Sequence, residues 1–136
     1  MYGTTRAYSE KNRQMIKKRM EEIIKGVSNS FNAIIKIKYK EGYPPTVNHD
    51  LPVKNVLLAA KNIVGDQAKS PYLSMGGEDF SYYLQKIPGC FFFVGSAPEK
   101  NDMLSIPHHC SHFDIDERSL LVGASVYLNL IENSLK

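Results

Sequence analysis

The chain has 136 residues, is 43% hydrophobic and 23% charged, and carries a formal net charge of +3. That length holds one domain with a real core or two unequal pieces, and the composition is ordinary for a globular protein. No run approaches the about 18 apolar residues that cross a bilayer, the first six residues contain no apolar leader core, and two cysteines make no disulfide framework, so reduced thiols in a cytoplasmic protein are expected.

Thr4 to Tyr8 is short and β-prone, and Ser9 reads as the N-cap of a helix. Ile16, Met20, Ile23, Ile24, Val27 and Phe31 follow on one helical face, and Gly26 with Ser28-Asn29-Ser30 predicts its end. Ile35, Ile37 and Tyr39 then alternate with Lys36, Lys38 and Lys40, which predicts a strand with one buried and one wet face. The first forty residues thus read strand–helix–strand. They carry ten Lys/Arg against three Asp/Glu, whereas the rest carries seven against eleven. The asymmetry marks either a nucleic-acid surface or two structural units with different surfaces, and the interleaved Glu10, Glu21 and Glu22 favour a solvated helix face.

Gly42-Tyr43-Pro44-Pro45 breaks the pattern, because two prolines suit neither a helix interior nor a central strand. A domain boundary is placed near residues 42–50. Val53 to Val64 reads as a helix ending at Gly65, and a short segment around Tyr72-Leu73-Ser74 leads to a helix from Glu78 to Leu84 that Pro88-Gly89 stops. Cys90 to Val94 is apolar without alternation, as in a strand covered on both faces. A long polar loop from Ser96 to Pro107 precedes a last helix, opened by Asp116-Glu117-Arg118 and running through Ile131.

Three of the four histidines fall in Pro107-His108-His109-Cys110-Ser111-His112-Phe113-Asp114, with Asp116 close by. Neutral imidazole suits zinc and similar ions. Pro107 argues against a helix here, and neighbours in a loop point to different sides, so one true ligand is expected rather than three. The alternative is a polar loop that happens to hold histidines. In Gly76-Gly77-Glu78-Asp79-Phe80, two glycines permit unusual backbone angles and close approach of a ligand. They also open a helix N-terminus that attracts anions, and the carboxylates suit proton transfer or orientation of metal ligands; a plain turn and helix start is the alternative. Arg6 is a candidate carboxylate clamp or a solvated arginine. Asn48 is a hinge, a turn former or a substrate contact. No nucleophile elbow, P-loop or dinucleotide fingerprint is present.

In order, Gly3-Thr4-Thr5-Arg6, the basic helix, Gly42 to Asn48, Met75 to Leu84 and His109 to Asp114 resemble the C-terminal part of the aminoacylase-like metallopeptidases. The resemblance is strongest to the N-acyl-amino-acid amidohydrolases, such as hippurate hydrolase and auxin-conjugate hydrolases. It covers nearly the whole chain, and four motifs in one order are far more specific than any alone. It implies an α/β fold of two domains. Residues 1–47 would be the second half of a ferredoxin-like lid used for dimerisation, and 48–136 the last part of a catalytic domain. That domain holds two divalent metals, zinc or manganese, with cobalt or nickel also accepted.

The resemblance makes His109 a metal ligand and sets His108 and His112 aside. It puts Glu78 and Asp79 at the active-site edge in a supporting role. Arg6 would approach the substrate carboxylate, with Asn48, Gly76 and Gly77 as further substrate contacts. The implied reaction is hydrolysis of the amide of an N-acyl amino acid by a water bridging the metals. The family's other ligands and its glutamate base are not among these residues. The chain is therefore expected to be a fragment or half of a split enzyme, inactive alone and partnered by an upstream half. Neither nucleic acid nor membrane is expected as a partner. Two rivals stand beside this reading: a basic nucleic-acid module, whose strands lack base-stacking aromatics, and a non-catalytic dimerisation domain.

Overall fold

The structure is a computed structural model that describes residues 1–69, 73–98 and 108–135. Its elements in chain order are α1 (Glu10–Ser30), α2 (Asp50–Val64), a 3₁₀ turn (Gly65–Gln67), α3 (Ser81–Leu84) and α4 (Arg118–Ser134). Tyr72 and most of the expected polar loop, 99–107, lie outside the described residues. Contacts divide the chain into two compact units, Met1–Asn48 with Leu73–Gly89, and His49–Tyr72 with Cys90–Lys136.

In the first unit, Ser9 caps α1 as its sequence position predicts: its backbone is extended (φ −139°) and its Oγ accepts from the Asn12 amide at 3.2 Å. That bond satisfies one of the four amides a helix start leaves without a partner. Glu10 in the first turn suits the positive helix end. Ile16, Met20 and Ile24 are half-buried, whereas Ile23, Val27 and Phe31 of the same apolar set are exposed. The helix runs through Gly26 to Ser30, and the chain reverses at Asn32, which takes a left-handed φ of 46°. The Ala33 amide bonds Ser28 O at 3.0 Å across that reversal.

The returning chain is fixed to α1 by side chains. Lys17 Nζ reaches Glu41 Oε1 at 2.9 Å and lies 5.5 Å from the Tyr39 ring centroid. Thr5 Oγ1 and Tyr39 OH share a hydrogen bond of 2.6 Å. The strand–helix–strand expected for residues 1–40 is not formed: among the described residues there is no strand, and the segments at 4–8 and 35–39 meet through side chains, without a backbone ladder. Alternation fixes which side chains face inward, but a strand also needs a neighbouring edge of matching register, and two segments alone rarely hold one.

In the second unit α2 packs on α4. Asn62 Nδ2 donates to Asn129 Oδ1 at 3.2 Å, and Asn133 Nδ2 donates to the same oxygen at 3.1 Å. Ala59 of α2 and Val126 of α4 are buried. Residues 90–98 lie against α4, with the Phe92 and Tyr127 rings 5.4 Å apart. A Cβ on Gly123 would meet a Val94 methyl at 3.7 Å, an ordinary contact, which places residue 94 against α4. The strand expected at Cys90 to Val94 is likewise absent; Phe93 stays exposed, so the run is not covered on both faces as a central strand must be. Burial pushes the Cys90 thiol up, and both cysteines are free. Leu51, Leu58, Leu120, Leu121, Leu128 and Ile131 remain exposed on the two helices. The α/β expectation thus meets a set of described elements that is helical throughout.

Candidate functional site

The Gly76–Asp79 segment of the first unit gathers several of the sequence candidates. Arg6 Nη1 donates to the Met75 carbonyl at 2.7 Å. A Cβ built on Gly77 would lie 3.6 Å from that same Nη1 and 3.5 Å from Tyr43 Cδ2. Gly77 therefore sits between a guanidinium and an aromatic ring. The Tyr43 ring meets Tyr82 edge-on, with centroids 5.9 Å apart and planes at 80°. The Gly76 amide donates to Ser74 Oγ at 3.1 Å.

Gly65 has the one left-handed φ among the described glycines. Neither Gly76 nor Gly77 takes a left-handed φ, contrary to the first expectation; a Cβ on Gly76 would crowd Ser74 Oγ at 3.3 Å, whereas one on Gly77 would make ordinary contacts. The helix expected from Glu78 begins later, at Ser81, and has four residues. Glu78 and Asp79 form the turn before it. Ser81, fully buried, donates from Oγ to Glu78 O at 2.6 Å. Glu78 Oε1 accepts from the Phe80 amide at a long 3.4 Å, leaving most of its acceptor capacity unspent. Asp79 is exposed. Arg6 is exposed and gives one N–H to a carbonyl, so its fork is partly committed to holding the loop. Asn48 is half-buried at the end of this unit's first segment.

Sequence reasoning did not single out Arg13 or Tyr43. Arg13 Nη1 donates to Tyr43 O at 2.8 Å, Nη2 reaches Gly42 O at 3.5 Å, and the same side chain pairs with Glu10 at 3.2 Å. Nothing in local spacing marks that link, since thirty residues separate its ends.

His109 belongs to the second unit. It is exposed on a turn closed by the Phe113 amide on Cys110 O at 3.2 Å. His108 stacks obliquely on Phe113 at 5.3 Å, His112 is exposed, and Cys110 is half-buried. Asp114 Oδ1 accepts from the Ile115 amide at 2.8 Å. The carboxylate of Asp116 is taken up by Arg118, whose Nε lies 2.9 Å from both oxygens and whose amide lies 3.0 Å from Oδ1. Those hydrogen bonds hold the Asp116 carboxyl below its ordinary range. Asp116 therefore opens α4 and is not placed to ligate. Among the described residues no group of three or more His, Cys, Asp or Glu is placed to hold a metal ion. One exposed imidazole fits a single ligand position and falls short of the three protein ligands usual for catalytic zinc.

The model of peptidase family M20/M25/M40 matches residues 7–133. YhaA of Bacillus subtilis (strain 168), named as an amidohydrolase, is 39% identical over 127 residues, which are 93% of this chain and 32% of that protein. An uncharacterized hydrolase of Staphylococcus epidermidis (strain ATCC 12228 / FDA PCI 1200) is 35% identical over 135 residues, 96% of this chain and 34% of its own. IAA-amino acid hydrolase ILR1-like 6 of Arabidopsis thaliana is 34% identical over 139 residues, 98% of this chain and 30% of that protein. The chain spans about a third of the length of these relatives. No solved structure matches it.

Proposed function

This chain belongs to peptidase family M20/M25/M40, and on that premise we propose that it contributes one share of a metal-dependent amidohydrolase acting on N-acyl amino acids. The observation that carries the reading is the pairing of two similarities. A relative named as an amidohydrolase and another named for hydrolysing IAA-amino acids each align over more than nine-tenths of this chain. The first name specifies hydrolysis of an amide and the second an amino-acid conjugate, and an N-acyl amino acid satisfies both.

In this reading His109 is a metal ligand, and its exposure on a turn is compatible with that role. In the same reading the remaining ligands and the general base come from further polypeptide; among the described residues no group of three or more potential ligands is assembled. Zinc or manganese is the proposed metal. Glu78 and Asp79 flank the reacting centre, with the Glu78 carboxylate free to accept further hydrogen bonds. Arg6 keeps guanidinium N–H groups beyond the one spent on Met75 O, and these suit a substrate carboxylate. Asn48, Gly76 and Gly77 border the substrate. Exposed apolar residues on α1, α2 and α4 support association with further polypeptide, whether an upstream half or a second copy through residues 1–47. The protein is proposed to act in the cytoplasm. No helix is long and apolar enough to cross a membrane among the described residues.

The test mixes this chain with a second polypeptide made from the part of YhaA that this chain does not match and measures amino-acid release from hippurate and related N-acyl amino acids. Turnover that His109→Ala abolishes and His108→Ala spares is the expected result. Equal behaviour of the two variants overturns the ligand assignment, and no turnover on any N-acyl amino acid overturns the function.

A further inference from the structure

We propose that Tyr43 is a positioning residue for the Gly76–Asp79 turn, gripping it from one side while Arg6 grips it from the other. This rests on the amidohydrolase reading for its functional consequence but not for its geometry. The grip has two jaws. Arg6 Nη1 fixes the turn's entry by its 2.7 Å bond to Met75 O. The Tyr43 ring closes on Gly77, with Cδ2 3.5 Å from the site of a Cβ there, and then on Tyr82, just beyond the turn. Behind the ring, the backbone of Tyr43 is fixed by Arg13, which holds the carbonyls of residues 42 and 43 and is itself paired with Glu10. The next residue, Pro44, is buried and has a locked φ.

A rigid helix, α1, is thus linked through one guanidinium and one ring to the two carboxylates that follow Gly77. The Glu78 and Asp79 carbonyls are tied forward into α3, by Ser81 Oγ at 2.6 Å and by the Tyr82 amide at 3.0 Å, while the Glu78 carboxylate has a long bond and Asp79 is exposed. The grip holds the turn from its other end, at Met75 and Gly77, which those bonds do not reach.

Nuclear magnetic resonance on this chain tests the geometry directly. Cross-relaxation between the Tyr43 ring protons and the Gly77 α protons is expected. Tyr43→Phe should keep it, and Tyr43→Leu should shift the amide resonances of residues 75–79 and 82 while leaving α2 and α4 unchanged. Absence of the cross-peak, or a Leu variant with unshifted 75–79 resonances, overturns the proposal. If Tyr43→Leu does not fold, Gly77→Ala decides: its methyl meets ring and guanidinium at ordinary contact distances, so the variant should fold and shift the Tyr43 and Tyr82 rings together. Unshifted rings overturn the proposal.

In the hydrolysis assay, Tyr43→Leu should lower kcat/KM about tenfold, because the turn carries both the carboxylates beside the reacting centre and the glycines that border the substrate. Tyr43→Phe should restore it, and a loss equal in the Phe variant overturns the positioning role. A cross-peak without any turnover by the native enzyme counts against the amidohydrolase reading alone.

Discussion

Arg13 donates to the backbone carbonyl of Tyr43 across 2.8 Å, joining α1 to the chain thirty residues on. The Arg13 side chain is only 13% exposed, although its bond to the carbonyl lies at the surface, where water competes. Hydrogen bonds to a charged donor contribute about 1.5–3 kcal/mol when both partners are ordered. Arg13→Ala should lower stability by about 1–2 kcal/mol, read as a fall in the urea midpoint at constant slope. Arg13→Lys should recover less than half, because a single ammonium cannot reach two successive carbonyls as a planar fork does. Full recovery by lysine would show that charge near Glu10 is what matters.

The Lys17–Glu41 pair gives a pH dependence with a definite sign. The hydrogen bond to Glu41 raises the Lys17 pKa above 10.5, and the hydrogen bond from Lys17 lowers the Glu41 pKa below 4.5. For the carboxylate, the folded chain releases its proton more readily than the unfolded one. Its stabilisation is therefore present above about pH 4.5 and fades as pH falls through the lower folded value. For the ammonium, stabilisation is present below about pH 10.5 and fades as pH rises through the higher folded value. Glu41→Gln should flatten both limbs of a plot of urea midpoint against pH. The pair is open to solvent, so the effect should be small and shrink further in high salt. An undiminished acid limb in that variant would assign it to Asp116, whose carboxyl is also held low, and an undiminished alkaline limb would show that Lys17 is not its source.

Two glycines should answer alanine in opposite directions. Gly65 ends α2 at φ 58° and ψ −133°, a backbone region that side chains avoid, although nothing lies within 4 Å of a Cβ there. The cost of Gly65→Ala is accordingly torsional, about 1–3 kcal/mol. Gly26 lies inside α1, also with nothing within 4 Å, so Gly26→Ala should stabilise by about 0.5–1 kcal/mol through helix propensity. Thermal midpoints moving in the same direction would mean that one of the two local conformations is wrong.

The helices were legible because their signals are local. Ser9 three residues before the amide it caps, the apolar face from Ile16, and Gly65 after Val64 each act within one or two turns. The strands failed for the converse reason. Ile35, Ile37 and Tyr39 announce a face to be buried, but no local pattern tells a segment which distant edge it pairs with, and here Tyr39 is occupied by Thr5 and Lys17 side chains. At the candidate site the same rule separates what was read from what was missed. Gly76-Gly77-Glu78-Asp79 is conspicuous as a run and Arg6 is legible as a candidate clamp, whereas the bond of Arg6 to Met75 O and the contact of Tyr43 with Gly77 join positions with no local link. The grouping of residues 73–89 with the first 48 likewise depends on contacts of long sequence separation.

The histidine turn gives the remaining expectation, on metal affinity. A structural zinc site with a full ligand set binds with about 10–16 kcal/mol at neutral pH. Here His108 packs on Phe113, Asp116 is paired with Arg118, and no group of three ligands is assembled among the described residues. The isolated chain should therefore bind zinc no more tightly than about 10 µM by titration calorimetry, since one imidazole supplies only a fraction of that energy. His109→Ala should remove most of whatever binding is found. Binding at nanomolar zinc by the chain alone would mean that its own residues complete a site, which would remove the need for ligands from elsewhere.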